Sequence, residues 1–440
     1  MRGPAPYSGA LPGDPLGLTM AQRGGGAFRI FAGTASGLYA LDSSDLSWTA
    51  IGAGYHATDD DRWSFVQWGS QLLAANLQDD LQGFDIEAGV AAGPVAGSPP
   101  RARFIDVISD FVVLAGLSSD PFALQWSGID DVESWTPGTD LSDIKEFKGG
   151  GRVMNISGAA GLVVLERALW QMIRSPGSGL AFEFQLVEAG KGTIAPFSVV
   201  KYGPAIGYLA EDGFWFDGEP IGQNKVNRHF LATVSQDRLF SVRGAIDPIA
   251  TRFYWAYRTG ESAAYDRALV YDWRLKRWSE IEIGATEFSS LATPGLTLEG
   301  VSALHPTLAD VPYPLGSRVW QGGRPVFAMF GADRRLAFLE GPALAATVET
   351  AERELAPGRR ATVTGARPLV GAAAATVAIG RRDRLADVRS WTAEAAMQPS
   401  GRCPVRAGGR YVRARIAVPA AESWSQIEGV DLEFAARGSR

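Results

Sequence analysis

Cysteine and histidine are both scarce in this chain of 440 residues. The single cysteine, Cys403, excludes an intrachain disulfide framework and a cysteine-rich zinc module. The three histidines, His56, His229 and His305, are far apart, and none has a spacing typical of metal ligands. The fold must therefore rest on packing, and we expect no bound metal, no cofactor and no enzymatic activity.

A long apolar run is also missing. The most apolar stretch, "LVGAAAATVAIG" at residues 369–380, is too short and too rich in alanine to cross a bilayer. The N-terminal segment has prolines and glycines where a secretion signal requires an apolar core. We therefore expect no membrane anchor, no cleaved leader and assembly in the cytoplasm.

Glycine and tryptophan, by contrast, are abundant, with 52 and 13 residues. This composition favours many short strands joined by tight turns over long helices. With 46% hydrophobic and 20% charged residues, the chain is able to bury a large core. The composition predicts an all-β fold.

Short apolar strands separated by glycine or aspartate turns repeat along the chain. Successive units begin 37 to 51 residues apart, close to the spacing of about 40 to 50 that is typical of a four-stranded propeller blade. Six units begin near Phe28, Phe65, Phe104, Asn155, Ser198 and Arg243, and a segment at Phe327 has the shape of the first. The repeats predict a β-propeller of six or seven blades over residues 28–345, preceded by an N-terminal extension at residues 1–27.

Within each unit, a continuous apolar run predicts a strand that is covered on both faces. "FVVLAGL" at residues 111–117 and "GLVVLER" at 161–167 suit the innermost position, and "FYWAYR" at 253–258 suits an outer one. The repeated aromatic residues would fill the space between blades, which widens away from the axis. We expect this packing role for Trp48, Trp135, Trp255, Trp273 and Trp278.

Residues 346–440 differ from the repeats and predict a separate, small β-rich module that resembles a sandwich. They contain 15 arginines, no lysine and 10 acidic residues, for a net charge of +5, whereas the preceding residues carry −11. Arg413 and Arg415 share one strand face and Arg410 the other. The basic residues are either a solvated face or an interface with an acidic subunit or a phosphate backbone. The interface candidates are Arg381, Arg382, Arg384, Arg410, Arg413 and Arg415.

An acidic stretch rich in tryptophan follows the apolar run at residues 111–117. Its channel or interface candidates are Asp130, Asp131, Glu133, Asp140, Asp143, Trp126 and Trp135. We interpret the tryptophans as anchors of a projecting loop and the carboxylates as groups that face a channel or a neighbouring subunit. Two alternatives stay open: an exposed loop without a partner, and paired carboxylates that cleave a glycosidic bond.

Five segments together resemble tail proteins of double-stranded DNA bacteriophages, of the nozzle or packaged-DNA-stabilisation type. The segments lie within residues 28–285 and are "DFVVLAGLSSDPFALQWSGIDDVESWTPGTDL", "GLVVLERALWQMI", "AGKGTIAPFSVV", "YLAEDGFWFDGEPIGQNKVNRHF" and "RALVYDWRLKRWSEI". Members of this family usually have a longer segment before the strand at Phe28. The blade count at the junction therefore stays open, and C-terminal strands are one means of completing the first blade.

The resemblance implies a structural virion protein of the phage neck or tail. Such a subunit forms a ring, commonly a hexamer, that contacts portal, adaptor or tail proteins and retains and conducts the packaged DNA. Duplex DNA would pass through without sequence-specific binding. The alternative is a carbohydrate-binding or glycoside-cleaving propeller, in which the aromatic residues would stack on sugars.

Overall fold

A computed structural model describes residues 2–177, 179–223, 225–260, 262, 264–305 and 307–437. The chain forms two compact units. The propeller unit is Pro6–Phe338, and the C-terminal unit combines the described residues of Met1–Ala5 and Leu339–Arg440. Each unit is described separately below.

The propeller unit contains seven blades of four antiparallel strands in the part of the chain that the structure describes. Strand β1 (Ala5–Ala10) precedes the first blade and belongs to the last. Blade 1 consists of β2 (Gly17–Gln22), β3 (Phe28–Gly33), β4 (Gly37–Leu41) and β5 (Trp48–Ala53). Blade 2 consists of β6 (Ser64–Trp68), β7 (Gln71–Ala75), β8 (Gln82–Asp85) and β9 (Gly93–Pro94). Blade 3 consists of β10 (Ala102–Ile108), β11 (Phe111–Leu117), β12 (Ala123–Trp126) and β13 (Asp143–Glu146).

Blades 4 to 6 follow in the same order along the chain. Blade 4 consists of β14 (Val153–Ser157), β15 (Leu162–Leu165), β16 (Ala168–Arg174) and β17 (Phe182–Ala189). Blade 5 consists of β18 (Val200–Tyr202), β19 (Ala205–Ala210), β20 (Gly213–Phe216) and β21 (Glu219–Pro220). Blade 6 consists of β22 (Arg243–Asp247), β23 (Arg252–Tyr257), β24 (Tyr265–Asp272) and the first half of β25 (Arg277–Ala292). Blade 7 consists of the second half of β25, β26 (Pro325–Gly331), β27 (Arg335–Phe338) and β1.

The first strand of each blade lies innermost. The strands β2, β6, β10 and β14 contact one another in sequence, β18 contacts β22, and the second half of β25 reaches back to β2. The contact from β25 to β2 closes the ring, since the Ala292 amide approaches Met20 Sδ at 2.8 Å. The structure thereby confirms the predicted propeller, with seven blades.

Two faces of the propeller are distinguished by their loops. The linker face carries the connections between blades and the loops between second and third strands. The turn face carries the connections from first to second and from third to fourth strands. Several turns on this face are very short, and Gly69 (φ +55°) and Gly203 (φ +56°) supply the left-handed conformation that they require.

The N-terminal strand completes the last blade by pairing with β27. The predicted extension at residues 1–27 therefore needs correction, because it holds β1 and the first strand of blade 1, β2. The units predicted at Phe28 and Phe327 began on second strands. Their first strands, β2 and the second half of β25, are half-buried or interrupted by polar residues, so they lack a continuous apolar run.

The continuous apolar runs occupy second strands and not the innermost ones, contrary to the prediction. "FVVLAGL" is β11, and every residue of it is buried. "FYWAYR" covers most of β23, which is likewise almost wholly buried. A second strand is covered on both faces by the neighbouring blades, whereas a first strand borders the axis, where polar side chains lie.

The hydrophobic core lies between the blades. Each cluster of buried side chains combines neighbouring blades, as when Phe111 of blade 3 packs on Phe182 of blade 4 with ring centroids 5.0 Å apart. The five tryptophans predicted to pack between blades do so. Trp135 and Trp255 are buried in clusters that combine two blades, and Trp48, Trp273 and Trp278 contact Phe330, Tyr202 and Phe214 of the neighbouring blade, respectively.

The C-terminal unit contains two packed sheets, as the sequence predicted. One sheet holds β28 (Ala346–Glu349), β29 (Arg353–Glu354), β31 (Thr376–Arg382), β32 (Ser390–Trp391), β33 (Ala395–Ala396) and β35 (Tyr411–Val418); the other holds β30 (Ala361–Ala372), β34 (Ala407–Gly409) and β36 (Trp424–Ala436). Side chains of both sheets form its core, including Val363, Ile379, Cys403 and Ile416.

Helices are short and lie in connections of the propeller unit. They are α1 (Lys225–Thr233), α2 (Leu298–Leu304), α3 (Arg318–Gln321) and the 3-10 helices Pro196–Ser198, Gln236–Ser241 and Leu308–Asp310. Among the described residues, no helix has both the length and the apolar character that crossing a membrane requires.

Substitutions of Tyr7 test whether β1 stabilises the propeller by completing its last blade. It is buried, its ring lies 5.0 Å from that of Phe338, and its hydroxyl has no hydrogen-bond partner among the described residues. Tyr7→Ala should lower the free energy of unfolding by about 3 to 5 kcal/mol, because it removes a buried aromatic ring. Tyr7→Phe should leave stability unchanged or slightly higher. Denaturant unfolding measures both, and equal losses would contradict this role.

Candidate functional site

The predicted acidic stretch forms a loop on the turn face, between the third and fourth strands of blade 3. Both tryptophans hold it in place: Trp126 Nε1 donates to the Leu141 carbonyl at 2.8 Å, and Trp135 Nε1 donates to the Val132 carbonyl at 2.6 Å. The Gln125 amide adds a bond to the Trp135 carbonyl at 2.6 Å. Trp126 and Trp135 are only 4% and 3% exposed, so their predicted anchoring role fits, whereas an interface role for their rings does not.

The five carboxylates of this loop are brought together and are exposed. They belong to Asp130, Asp131, Glu133, Asp140 and Asp143. Asp131 accepts from the Glu133 amide at 2.8 Å, and Asp140 accepts from the Ser134 hydroxyl at 3.1 Å. The loop joins outer strands, so these groups lie away from the axis of their own propeller. They face solvent.

A chain of ion pairs crosses the propeller axis at the linker face. Glu287, on the inner strand of blade 7, pairs with Arg243 of blade 6 and with Arg62, which precedes blade 2, at 2.7 Å. Asp59 pairs with Arg62 at 2.6 Å and with Arg258 of blade 6 at 2.5 Å. Asp59 and Arg62 lie in the connection between blades 1 and 2, which blades 7 and 1 separate from blade 6, so the contact with Arg258 reaches across the central region.

Three of these charged groups, Arg62, Arg258 and Glu287, are buried, whereas Asp59 is partly exposed. The side chains of Glu287 and Arg62 are 0% and 2% exposed, and the Tyr265 ring lies under both Arg62 and Arg258. Burial by itself lowers the pKa of Arg62, but Tyr265, Glu287 and Asp59 outweigh it and raise the pKa above its ordinary value. Burial likewise favours neutral Asp59, whereas hydrogen bonds from Arg258 and Arg62 hold its pKa at about 2.

Two further contacts bridge non-adjacent parts of the ring. Near the turn face, Lys201 of blade 5 pairs with Asp106 of blade 3 at 2.6 Å, and the Gly158 amide of blade 4 donates to the same carboxylate at 2.9 Å. Near the linker face, Arg103 of blade 3 lies 5.4 Å from the centre of the Phe240 ring, before blade 6. The inner end of the ring is therefore bridged by side chains near both faces.

No sequence pattern predicted this axial network, which consists of Asp59, Arg62, Arg243, Arg258 and Glu287. The Arg62 and Glu287 partners are separated by 225 positions in the chain, so no local spacing reveals the pair. The available signals were weak: the charged run "TDDDR" at residues 58–62 before an apolar strand, and a glutamate within the long strand β25.

The predicted basic residues of the C-terminal unit lie along one sheet, mostly in ion pairs within that unit. Glu349 joins Arg413 and Arg415, both at 2.7 Å, and Glu354 joins Arg410 at 2.8 Å. Glu352 joins Arg382. Four of the six predicted arginines are thus paired with carboxylates of their own unit.

Two arginines of this set differ from the others. The Arg381 guanidinium donates only to the Gly408 carbonyl, at 3.2 Å, and the Arg384 guanidinium has no partner within the described ranges. Both are exposed. As predicted, Arg413 and Arg415 project from the same face of β35.

Metal-binding geometry is not seen among the residues that the structure describes, where no group of three or more His, Cys, Asp or Glu residues is arranged to hold an ion. The single cysteine is buried. His56 and His229 lie beside Asp79 at 3.0 Å and Glu280 at 3.1 Å, respectively, far from each other in the sequence.

Comparison with known proteins identifies no family for the chain. No family model and no curated protein matches it. The computationally designed Ika8 protein is similar over 76% of this chain and 99% of its own, with 10% identity and a TM-score of 0.38. The β-propeller domain of Myceliophteria thermophila Cps50 (Swd1) is similar over 75% and 98%, with 10% identity and a TM-score of 0.43. Similarities this distant carry no argument about function.

A double-mutant cycle tests the axial network. Arg62→Met and Glu287→Gln should each lower the free energy of unfolding by about 1.5 to 3 kcal/mol, because each removes one charged hydrogen-bond partner from a buried group that keeps a second partner. The double variant should lose less than the sum, by about 1 to 3 kcal/mol. The exposed pair Arg152–Glu166 serves as the control and should couple by no more than about 1 kcal/mol. Additive losses at Arg62 and Glu287 would contradict the direct pairing.

Proposed function

We propose that this protein is a structural subunit of a bacteriophage neck or tail, where a ring of copies retains and conducts packaged DNA. The observation that carries this proposal is the joint resemblance of five segments to phage nozzle proteins. In the fold these segments belong to blades 3 to 6 and the connections between them. The resemblance therefore extends over more than half of one propeller and is not confined to a single turn.

The axial network bears on where DNA would pass. Side chains bridge the inner end of the propeller near both faces, so the axis of a single subunit is not the conduit. A passage would have to lie between subunits. The acidic character of residues 1–345, with a net charge of −11, suits its wall. A basic wall would bind phosphates by releasing their counterions and would hold the DNA in place.

This role implies the partners of the protein, which we likewise propose. The subunit would form a homo-oligomer, a hexamer by the resemblance, and would contact portal, adaptor or other tail proteins. Duplex DNA would pass without sequence-specific binding. The protein would assemble in the host cytoplasm and reside in the virion.

A structural role is also preferred over sugar binding or cleavage. The carbohydrate alternative relied on tryptophans free to stack on a sugar beside paired carboxylates. Trp126 and Trp135 are instead buried within their loop, each with its indole N–H bonded to a loop carbonyl. The accompanying proposal is therefore that the protein is not an enzyme.

The ring requires a heterologous contact that closes on itself. The acidic loop of blade 3 supplies one surface, because its carboxylates have no cationic partner among the described residues. A basic turn of blade 6 supplies a complementary surface. It lies on the turn face and exposes Arg274, Leu275, Lys276 and Arg277. Exposed charges of this kind accelerate assembly more than they strengthen it.

Charge reversal in the acidic loop tests the proposed ring. Asp130→Lys combined with Glu133→Lys should slow assembly about tenfold at low salt, because it replaces attraction with repulsion. Higher salt should reduce the difference. Sedimentation of the purified protein over time measures the fraction of rings.

The control for this experiment changes the net charge equally at another exposed site. Glu211→Lys combined with Glu219→Lys on blade 5 should assemble at the wild-type rate. Equal assembly of both double variants and the wild type across salt concentrations would refute a role for the acidic loop. A wild-type protein that remains monomeric at all concentrations would refute the ring itself.

A further inference from the structure

A small cavity opens on the turn face beside blade 1. Its volume is about 260 Å³, and its lining includes Arg23, Phe28, Arg29, Asp42, Ser43 and Pro294. The connections after β2, β4 and β25 bring these residues together. The cavity lies on another blade than the acidic loop and plays no part in the proposed ring.

Arg29, which lines this cavity, packs its guanidinium against two aromatic rings. Its guanidinium carbon lies 5.7 Å from the centre of the Phe31 ring and 5.5 Å from that of Phe84. Within the described part of the chain, this guanidinium has neither a hydrogen bond nor an ion pair with a carboxylate. Its five N–H donors are therefore available to a ligand.

Arg23 supplies a second cation at the same cavity. Its guanidinium donates to the Ile86 carbonyl at 3.2 Å and to the Glu87 carbonyl at 3.4 Å, and it forms a long ion pair with the Glu87 carboxylate at 4.0 Å. Burial lowers the pKa of Arg29, the like charge of Arg23 lowers it further, and Asp42 acts in the opposite direction. An anion between the two guanidiniums would relieve this repulsion.

The carboxylate of the cavity lining, Asp42, already accepts hydrogen bonds from within the protein. Asp42 Oδ1 accepts from the Ser44 amide at 2.8 Å and from the Ser44 hydroxyl at 2.7 Å. The lining thus has two cations and one anion, for an excess of one positive charge. A tetrahedral anion has oxygens enough to accept from both guanidiniums at once, whereas a carboxylate has only two.

We propose that this cavity binds a phosphate group between Arg23 and Arg29. Guanidinium groups recognise phosphate oxygens through paired N–H donors, and a phosphate monoester carries a charge of about −1.5 to −2 at neutral pH. The group comes either from a small phosphate compound or from the backbone of a nucleic acid. The inference does not depend on the proposed ring.

Calorimetric titration of the purified full chain with inorganic phosphate tests the site. At constant ionic strength we expect one phosphate per chain, with weaker binding of acetate. Arg29→Gln should weaken phosphate binding at least about tenfold, because it removes charge-assisted hydrogen bonds. Asp42→Asn should strengthen binding, since it removes a negative charge and retains an oxygen that accepts from Ser44.

Arg174→Gln is the matched control. Arg174 also lies over two phenyl rings, with its guanidinium carbon 4.9 Å from the centre of the Phe111 ring and 6.0 Å from that of Phe182. Its substitution removes the same kind of packing and should leave phosphate binding unchanged. If Arg29→Gln does not fold, Arg23→Gln replaces it with the same expected loss. Unchanged affinity in the Arg29 or Arg23 variant, or no binding to wild type, overturns the proposal.

A short DNA duplex distinguishes the two sources of the phosphate group. If the duplex competes with inorganic phosphate and loses affinity in the same variants, the ligand is a nucleic-acid backbone. If inorganic phosphate binds and the duplex does not compete, the ligand is a small phosphate compound. Either result supports the site.

Discussion

The ion pairs that cross the propeller axis connect blades that the backbone leaves apart. Neighbouring blades pack through apolar side chains, but this packing acts only between adjacent blades around the ring. Arg62, in the connection before blade 2, pairs with Glu287 of blade 7, and Asp106 and Lys201 join blades 3 and 5. A buried pair such as Arg62 and Glu287 adds little net stability, yet removing one partner leaves the other buried charge with less compensation. These pairs therefore favour one closed arrangement of the blades over slightly opened ones.

Because side chains bridge the axis, we look for functional surfaces on the outside of the propeller. Propeller sites often lie at the axis, but here charged side chains satisfy one another in that region. The charged surface features of the propeller unit instead include the acidic loop of blade 3, the basic turn of blade 6 and the arginine pair Arg23 and Arg29 of blade 1. All three lie on the turn face. This distribution suits a subunit that works through its neighbours.

Repetition in the sequence was sufficient to predict the propeller, because each blade repeats the same alternation of apolar strand and glycine turn. Single strands were harder to place. The first strand β2 and the shared strand β25 are half-buried at the axis and lack the continuous apolar pattern that identifies β11. The closing strand β1 pairs with β27 more than 300 positions away. The site was predictable only in part: the tryptophan-anchored loop was anticipated, whereas the axial network depends on tertiary contacts.

The central claim is that copies of this chain form a closed ring whose passage lies between subunits. Electron microscopy of the purified protein at assembly concentrations tests it most directly. The account predicts rings with a central opening wide enough for duplex DNA, surrounded by propellers whose own axes are filled. Particles that remain single propellers, or rings in which an open propeller axis forms the passage, would contradict it.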